Sequence, residues 1–381
     1  MNLGAVEDAL QRAAAELLPS GALSGARLHA AVTSRSRRYT SERVLLAQPA
    51  ADADADLAAR ALFFGVADAA KVAVPLAELA SRDLLPAARP LRICDLGAGA
   101  GAMTLGTAAF LAGAGHAVDL HVTAIDRDAA ALALLDAAAR HLAGALGGRI
   151  EVTRHAGDLA RADLAPGAFD LVLAGTVLNE LPDQAARVAL VTRALAALRD
   201  DGALVLIEPA LRDTSRDLHL LRDDLLARGA AHVFAPCTRA VAPCPALADP
   251  RDWCHEDRPL DLPPRAAQVA LVTGLRDDGM KLSYLVLRRG AEPLAPAAPG
   301  RAALRLVSPP TKLKGRRECV ACGAGGWSRL RLLTRHRDDA NRAFERARRG
   351  DVVVVDDRPA EPGAPRDIGA GEQVDVRTTR R

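Results

Sequence analysis

A chain of 381 residues, half hydrophobic but only 3% aromatic, can hold one large aliphatic core with additions, because single domains stop growing near roughly 250–300 residues. Its formal net charge of +3 is too small to mark a nucleic-acid binder by itself. Arginine supplies nearly all the positive charge, with lysine only at Lys71, Lys281, Lys312 and Lys314, which is a compositional bias before it is a phosphate signal.

The start, Met1 to Asp8, has no basic stretch followed by an apolar one, and no uninterrupted apolar run reaches spanning length. A cytoplasmic chain without a membrane partner is expected, with its six cysteines reduced. Apolar spacing predicts a helical N-terminal domain over residues 1–89, interrupted by a loop at the polar stretch Thr33–Thr40. After Pro90, short apolar runs alternate with Ala/Leu-rich helical segments, as in a parallel sheet with crossover helices. The strands predicted are Leu91–Asp95, His121–Asp126, Arg149–His155, Phe169–Ala174, Gly202–Glu208, Gln268–Thr273 and Leu282–Leu287. This α/β domain spans residues 90–293. It is broken by a helix, Asp213–Arg228, and a Pro/Cys-rich insertion, 232–258, of the long irregular kind that is usually functional. A Pro/Ala linker from Pro293 leads to a basic lobe, 294–358, with a strand at Val352–Val355. The Pro/Gly-rich tail, 359–381, is expected to be disordered.

The first strand ends in Asp95-Leu96-Gly97-Ala98-Gly99-Ala100-Gly101, three glycines where backbone must turn sharply and approach a ligand. Such a loop also suits dinucleotides, but a carboxylate two residues before the first glycine repels a pyrophosphate. S-adenosylmethionine carries a sulfonium and an ammonium instead, so Asp95 favours it. Asp126 ends the next strand, where a carboxylate accepts ribose hydroxyls, and Asp158 follows the third, placed for an exocyclic amine of adenine. Each acid alone is as easily a helix cap. Asn179 and Glu180, after the fourth strand, are the candidate catalytic or substrate-orienting residues, or the cap of the helix that follows.

Five cysteines, Cys237, Cys244, Cys254, Cys319 and Cys322, lie outside the sheet core, whereas Cys94 sits in the first strand and packs. Prolines flank the first two, and Trp253 and His255 bracket Cys254. Three thiols from this loop plus one from Cys319-Val320-Ala321-Cys322 make a four-thiolate set suited to zinc or to an iron–sulfur cluster. The irregular gaps fit a cluster better than paired zinc knuckles.

With these residues assembled, the stretch from Leu91 to Val355 resembles a family of methyltransferase-like assembly factors of the small ribosomal subunit, found in bacteria and mitochondria, within the class I S-adenosylmethionine-dependent methyltransferases. The resemblance rests on Asp95–Gly101, Val177-Leu178-Asn179-Glu180-Leu181-Pro182, Ile207-Glu208-Pro209, the cysteine loop ending in Asp252-Trp253-Cys254-His255, Lys281–Leu287 and Lys314–Cys322. It implies a Rossmann-like methyltransferase sheet with a helical cap and a cysteine-stapled C-terminal lobe. It further implies S-adenosylmethionine held by Asp95, Gly97, Gly99, Gly101, Asp126 and Asp158. A 4Fe-4S cluster, with zinc as the alternative, would sit on Cys237, Cys244, Cys254 and Cys322, with Cys319 as the alternative fourth ligand.

The implied partner is small-subunit ribosomal RNA or the pre-ribosomal small subunit, with basic contacts from Lys312, Lys314, Arg316 and Arg317 onward, and a monomer off the ribosome. Here Cys237 is followed by Thr238-Arg239 where the family has Pro-His, and the Asn-Pro-Pro-aromatic segment by which many amino-group methyltransferases hold the target nitrogen is missing. The readings left open are an RNA methyltransferase, a catalytically silent assembly factor, and a small-molecule methyltransferase with structural zinc.

Overall fold

The computed structural model describes residues 1–46, 48–239, 241–275, 279–358 and 364–378. Helices α1 (Leu3–Leu17), α2 (Gly25–Thr40), α3 (Ala53–Ala59), α4 (Val66–Ala69) and α5 (Ala73–Ala80) come first, with a π-helical turn over Arg60–Gly65 between α3 and α4. The expected loop at Thr33–Thr40 is instead the second half of α2. Leu28 and Val32 face the core one turn apart, Thr33, Ser34 and Arg37 are exposed, and Arg38 is itself buried, donating to the carbonyls of Leu45 and Gln48.

The central sheet is built from β1 (Leu91–Leu96), α6 (Ala102–Gly113), β2 (Asp119–Asp126), α7 (Ala129–Leu146), β3 (Arg149–Ala156), β4 (Phe169–Gly175), α8 (Gln184–Ala197) and β5 (Leu198–Pro209). There follow α9 (Arg212–Ala227), β6 (His232–Ala235), β7 (Glu256–Arg258), α10 (Pro264–Thr273) and β8 (Met280–Arg288). Strand order is β3-β2-β1-β4-β5-β8-β6, with β7 beside β8. Strands β1 to β5 pair in parallel and β8 runs antiparallel to β5. The chain is therefore mixed α/β with a mostly parallel sheet.

β1 and β4 are apolar almost throughout because both of their faces are covered. One face packs on α6, α7, α10 and the N-terminal helices, and the other on α8 and α9. Cys94 lies in the second of these layers, fully buried, and burial pushes its thiol up to about 12.

The predicted strand Gln268–Thr273 is helix α10. An apolar run this short does not distinguish the two states. Pro263-Pro264 opens the helix, and Ala266, Val269 and Ala270 bury at helical spacing while Leu271 and Val272 are exposed.

The C-terminal lobe is a second sheet of β9 (Arg301–Leu306), β10 (Thr311–Leu313), β11 (Arg316–Gly323), β12 (Gly326–Leu333), β13 (Val352–Asp356), β14 (Arg366–Ile368) and β15 (Asp375–Arg377), closed around its own apolar core. β14 and β15 correct the expectation of a disordered tail: Ile368 and Val374 plug that core, and Arg366 pairs with buried Glu372. Residues 359–363 and 379–381 of that tail lie outside the described residues.

A cysteine staple is not what visibly fastens this lobe. Arg305 of β9 reaches out of it to donate to Glu78 of α5 at 2.5 Å, Glu256 of β7 at 2.7 Å and the Tyr284 hydroxyl of β8 at 3.0 Å. All four side chains are buried, so three parts of the chain meet in one compensated charge cluster.

Candidate functional site

Strand order reverses between β1 and β4, and the C-terminal ends of these strands open the crevice where α/β sheets take ligands. The glycine loop fills one side. Gly97, Gly99 and Gly101 all have positive φ, at 69°, 51° and 92°. A Cβ on Gly97 would meet Val177 Cγ2 at 2.3 Å, and one on Gly101 would meet Leu135 Cδ1 at 2.2 Å. At Gly99 nothing lies within 4 Å, so close packing holds the loop's two ends while its middle faces open space.

Asp95 sits beneath the loop, 1% exposed, with Oδ2 accepting from Thr104 Oγ1 at 2.6 Å and Thr104 N at 3.2 Å. Its other oxygen, Oδ1, is buried without a hydrogen-bond partner. Burial pushes this carboxyl up to about 6, against the pull of the Thr104 bonds and with a push from Asp126.

Asp126 closes the loop from the neighbouring strand. Its Oδ2 accepts from Gly99 N at 2.8 Å and its Oδ1 from Asp128 N at 2.9 Å, each oxygen keeping a further lone pair. Asp158 is exposed and accepts from Ala160 N at 2.9 Å, capping a short helical turn. The crevice thus gathers Asp95, the glycines and Asp126, with Asp158 at its rim after β3.

Across the crevice, β4 ends in Thr176, a residue with φ of 60°, and turns through Val177 to Glu180. The turn is organised by Glu208, at the end of β5 and 1% exposed. Glu208 Oε1 accepts from the N–H groups of Val177 and Leu178 at 3.1 and 2.9 Å, and Oε2 from the Asn179 N–H and side-chain amide at 3.2 and 2.7 Å. Burial still pushes this carboxyl up to about 7, with the four donors opposing.

The Asn179 amide is occupied on its other end too: Arg43 donates to Asn179 Oδ1 at 2.7 Å and to its carbonyl at 3.1 Å. Glu180 is exposed and pairs with Arg127 at 3.1 Å, and burial of its inner edge raises its pKa. Arg35 of α2 pairs with Asp56 and lies over the Tyr39 ring, and Arg60 pairs with Asp56 and with Asp128, so the N-terminal helices bring an ion-paired layer against the turn after β2. Glu208 was missed as a site residue in the sequence, although a third acid closing a third strand after Asp95 and Asp126 was a signal for it. Arg43 carried none, being 136 residues from its partner.

The cysteines separate cleanly. Burial raises the Cys254 and Cys322 thiols, and the next causes are neighbouring thiols: Cys237, Cys244 and Cys322 for Cys254, and Cys237 and Cys244 for Cys322. Cys237, Cys244, Cys254 and Cys322 therefore form one neighbourhood. Cys319 does not join them. Side chains three apart in a strand face opposite ways, so Cys319 enters the core of the lobe and Cys322 the opposite face. Thr238, next to Cys237, donates to the Cys322 carbonyl at 3.1 Å and ties β11 to the loop. Among the described residues no set of three or more His, Cys, Asp or Glu side chains is placed to hold a metal ion. The thiols are neighbours without converging on one point.

No curated protein matches the chain. Similar solved structures include a SAM-dependent methyltransferase from Leishmania major, with TM-score 0.39 and 15% identity, over 68% of this chain and 83% of that one. A TehB-like SAM-dependent methyltransferase from Corynebacterium glutamicum has TM-score 0.31 and 17% identity, over 56% and 88%. The CcbJ methyltransferase from Streptomyces caelestis has TM-score 0.27 and 24% identity, over 36% of this chain and only 49% of that one, so the chain spans about half its length. Values this low record a likeness, and the fold rests on strand order. The family described as "Mitochondrial small ribosomal subunit Rsm22" matches residues 55–353; the chain belongs to that family.

Proposed function

We propose that this chain is an S-adenosylmethionine-binding, RNA-associated factor of the small ribosomal subunit, working in a reducing compartment. The observation that carries the cofactor is the buried Oδ1 of Asp95, unpartnered under a glycine loop that is open at Gly99. A buried polar atom without a partner is costly, and a cationic ligand in the crevice relieves that cost. Asp126 would take the ribose and Asp158 the adenine edge. All six cysteines are free thiols, which suits a reducing compartment.

Family membership supports the small-subunit partner. The β10–β11 hairpin lends Lys312 and Lys314, both exposed, as phosphate contacts, with Arg316 and Arg317 beside them. For methyl transfer, the Asn179 amide is held by Glu208 and Arg43 and has no end left for an acceptor base. This favours an assembly role over RNA methylation. The neighbouring thiols of Cys237, Cys244, Cys254 and Cys322 are the residues that would hold the 4Fe-4S cluster that the family resemblance implies, or zinc in its place.

The test is recovery of crosslinked RNA with the tagged chain, alongside calorimetric titration with S-adenosylmethionine. Small-subunit ribosomal RNA and binding of the ligand are expected. A zinc-containing protein that binds the ligand and recovers no such RNA would instead be a small-molecule methyltransferase. Mapping methylated nucleotides in a deletion strain separates transfer from silence.

A further inference from the structure

Three carboxylates, Asp56, Asp126 and Asp128, meet where the N-terminal helices reach the end of β2, and Arg60 joins two of them. Asp128 Oδ1 caps α7 by accepting from Ala130 N and Ala131 N at 3.0 and 3.1 Å, and its Oδ2 accepts from Arg60. The backbone N–H of Asp128 donates to Asp126 Oδ1 at 2.9 Å. Arg60 Nε also stands 3.3 Å from Asp56 Oδ2, and Asp56 is held from its other side by Arg35 of α2 at 2.8 Å. At the far end, Gly99 N donates to Asp126 Oδ2 at 2.8 Å. A continuous chain of ion pairs and hydrogen bonds thus runs from α2, through Arg60 and Asp128, to the middle of the glycine loop.

The mount of Arg60 is rigid. It opens the π-helical turn, whose other five residues are all buried, and a Cβ on Gly65 would meet the Arg60 carbonyl at 3.0 Å. Single π turns inside helical runs are rare and recur at functional sites. Asp126 gives one lone pair of each oxygen to a protein N–H, which leaves one on each for two neighbouring hydroxyls. Rotation of a carboxylate about its last bond is soft, so these two N–H groups select the orientation that presents both free lone pairs together. Gly99 N belongs to the loop that meets the ligand. Asp128 N is the donor fixed from outside, and Arg60 fixes Asp128.

We propose that Arg60 is a positioning residue of the cofactor site, holding Asp126 through Asp128 in the orientation that receives the ribose hydroxyls. The N-terminal helices are thereby part of the methyl-donor pocket and not only a cap beside it. The inference rests on the S-adenosylmethionine reading given above.

The full-length protein is titrated by calorimetry with S-adenosylhomocysteine, which carries the adenosine of the methyl donor, and with its 2′,3′-dideoxy counterpart. Wild type, R60M, R60K, D128N, D126N and the R60M/D126N double variant are compared. Wild type should prefer the ligand with hydroxyls, and D126N should lose most of that preference. R60M should bind S-adenosylhomocysteine about tenfold more weakly, the order of one hydrogen-bonding interaction, with little change for the dideoxy ligand. R60K keeps the charge and loses the fork that spans Asp56 and Asp128, and should fall between. D128N keeps the N–H and the cap but loses the charge that draws Arg60. It should shift preference in the same direction as R60M, which keeps the idea testable if R60M does not fold. Adding R60M to D126N should change the preference no further.

An equal loss of both ligands in R60M would mark general loosening and overturn the proposal, as would a wild-type preference kept in R60M and D128N. A wild type that binds both ligands alike overturns the ribose role of Asp126 and this inference with it. A wild type that binds neither overturns the cofactor reading itself, and is told apart because it is seen before any substitution.

Discussion

Glu208 takes both the backbone N–H and the side-chain amide of Asn179, so one buried carboxylate sets the shape of the turn beyond β4. Its folded pKa of about 7 stands above the ordinary 4.5 because burial outweighs the four donors. Between those values the folded state holds more protons than the unfolded one, so stability falls as pH rises through this window and is level below it. Thermal melts from pH 4 to 8 should show that fall in wild type and lose most of it in E208Q, where nothing titrates. Identical pH profiles would refute the assignment.

The same burial acts on Asp95 with an opposite consequence for ligand. A cation beside Asp95 favours its ionised form, whose pKa of about 6 in the free protein limits binding. S-adenosylmethionine affinity should therefore be flat above about pH 6 and drop about tenfold per unit below it. D95N keeps an acceptor for Thr104 but loses the charge, and should bind weakly at every pH while melting near wild type. Calorimetry across pH reads both.

Within the glycine loop, two alanine substitutions should part company. G101A drives a Cβ to 2.2 Å from Leu135 at φ of 92° and should cost several kcal/mol, on the order of the 1–3 kcal/mol for overpacking plus backbone strain. G99A meets open space and should cost about 1–2 kcal/mol for its left-handed backbone, yet place a methyl in the ligand's path. Melting temperature should suffer more in G101A. Relative to its stability loss, affinity should suffer more in G99A.

Arg305 is the sole cation seen contacting both Glu78 and Glu256 among the described residues. R305M leaves these two carboxylates buried and short of that partner, and removing one member of such a set costs about 3–5 kcal/mol. Chemical denaturation should show the loss, and proteolysis of the 289–300 linker should quicken as the lobe loosens. A variant as stable as wild type would contradict the role given to this cluster.

Much of this was legible in residues that repeat or punctuate. Five parallel strands and β8 were placed to within a few residues because β1, β4, β5 and β8 are apolar runs and β2 and the edge strand β3 alternate between turn signals, and the helix predicted at Asp213–Arg228 is α9. Gln268–Thr273 and Thr33–Thr40 misled because short apolar or polar stretches carry no usable period, so tertiary burial decided their state. Around the crevice, the order of the strands placed Asp95 and Asp126 at neighbouring strand ends, where they flank the glycine loop. What that order could not reveal was the layer behind it: Arg43 over Asn179, and Arg216, His219, Arg222 and Asp223 against the cysteine loop. Those partners are distant in sequence and unremarkable in composition.

The cluster around Arg305 also bears on how the chain is made. Synthesis runs from the N-terminus, so Glu78, Glu256 and Tyr284 all emerge before Arg305, the cation that bridges the two carboxylates. Until β9 is out, that corner of the α/β body must stay hydrated. A nascent chain halted short of residue 305 therefore stays open at the seam where the lobe will later dock, and the body is sealed only by the first strand of that lobe.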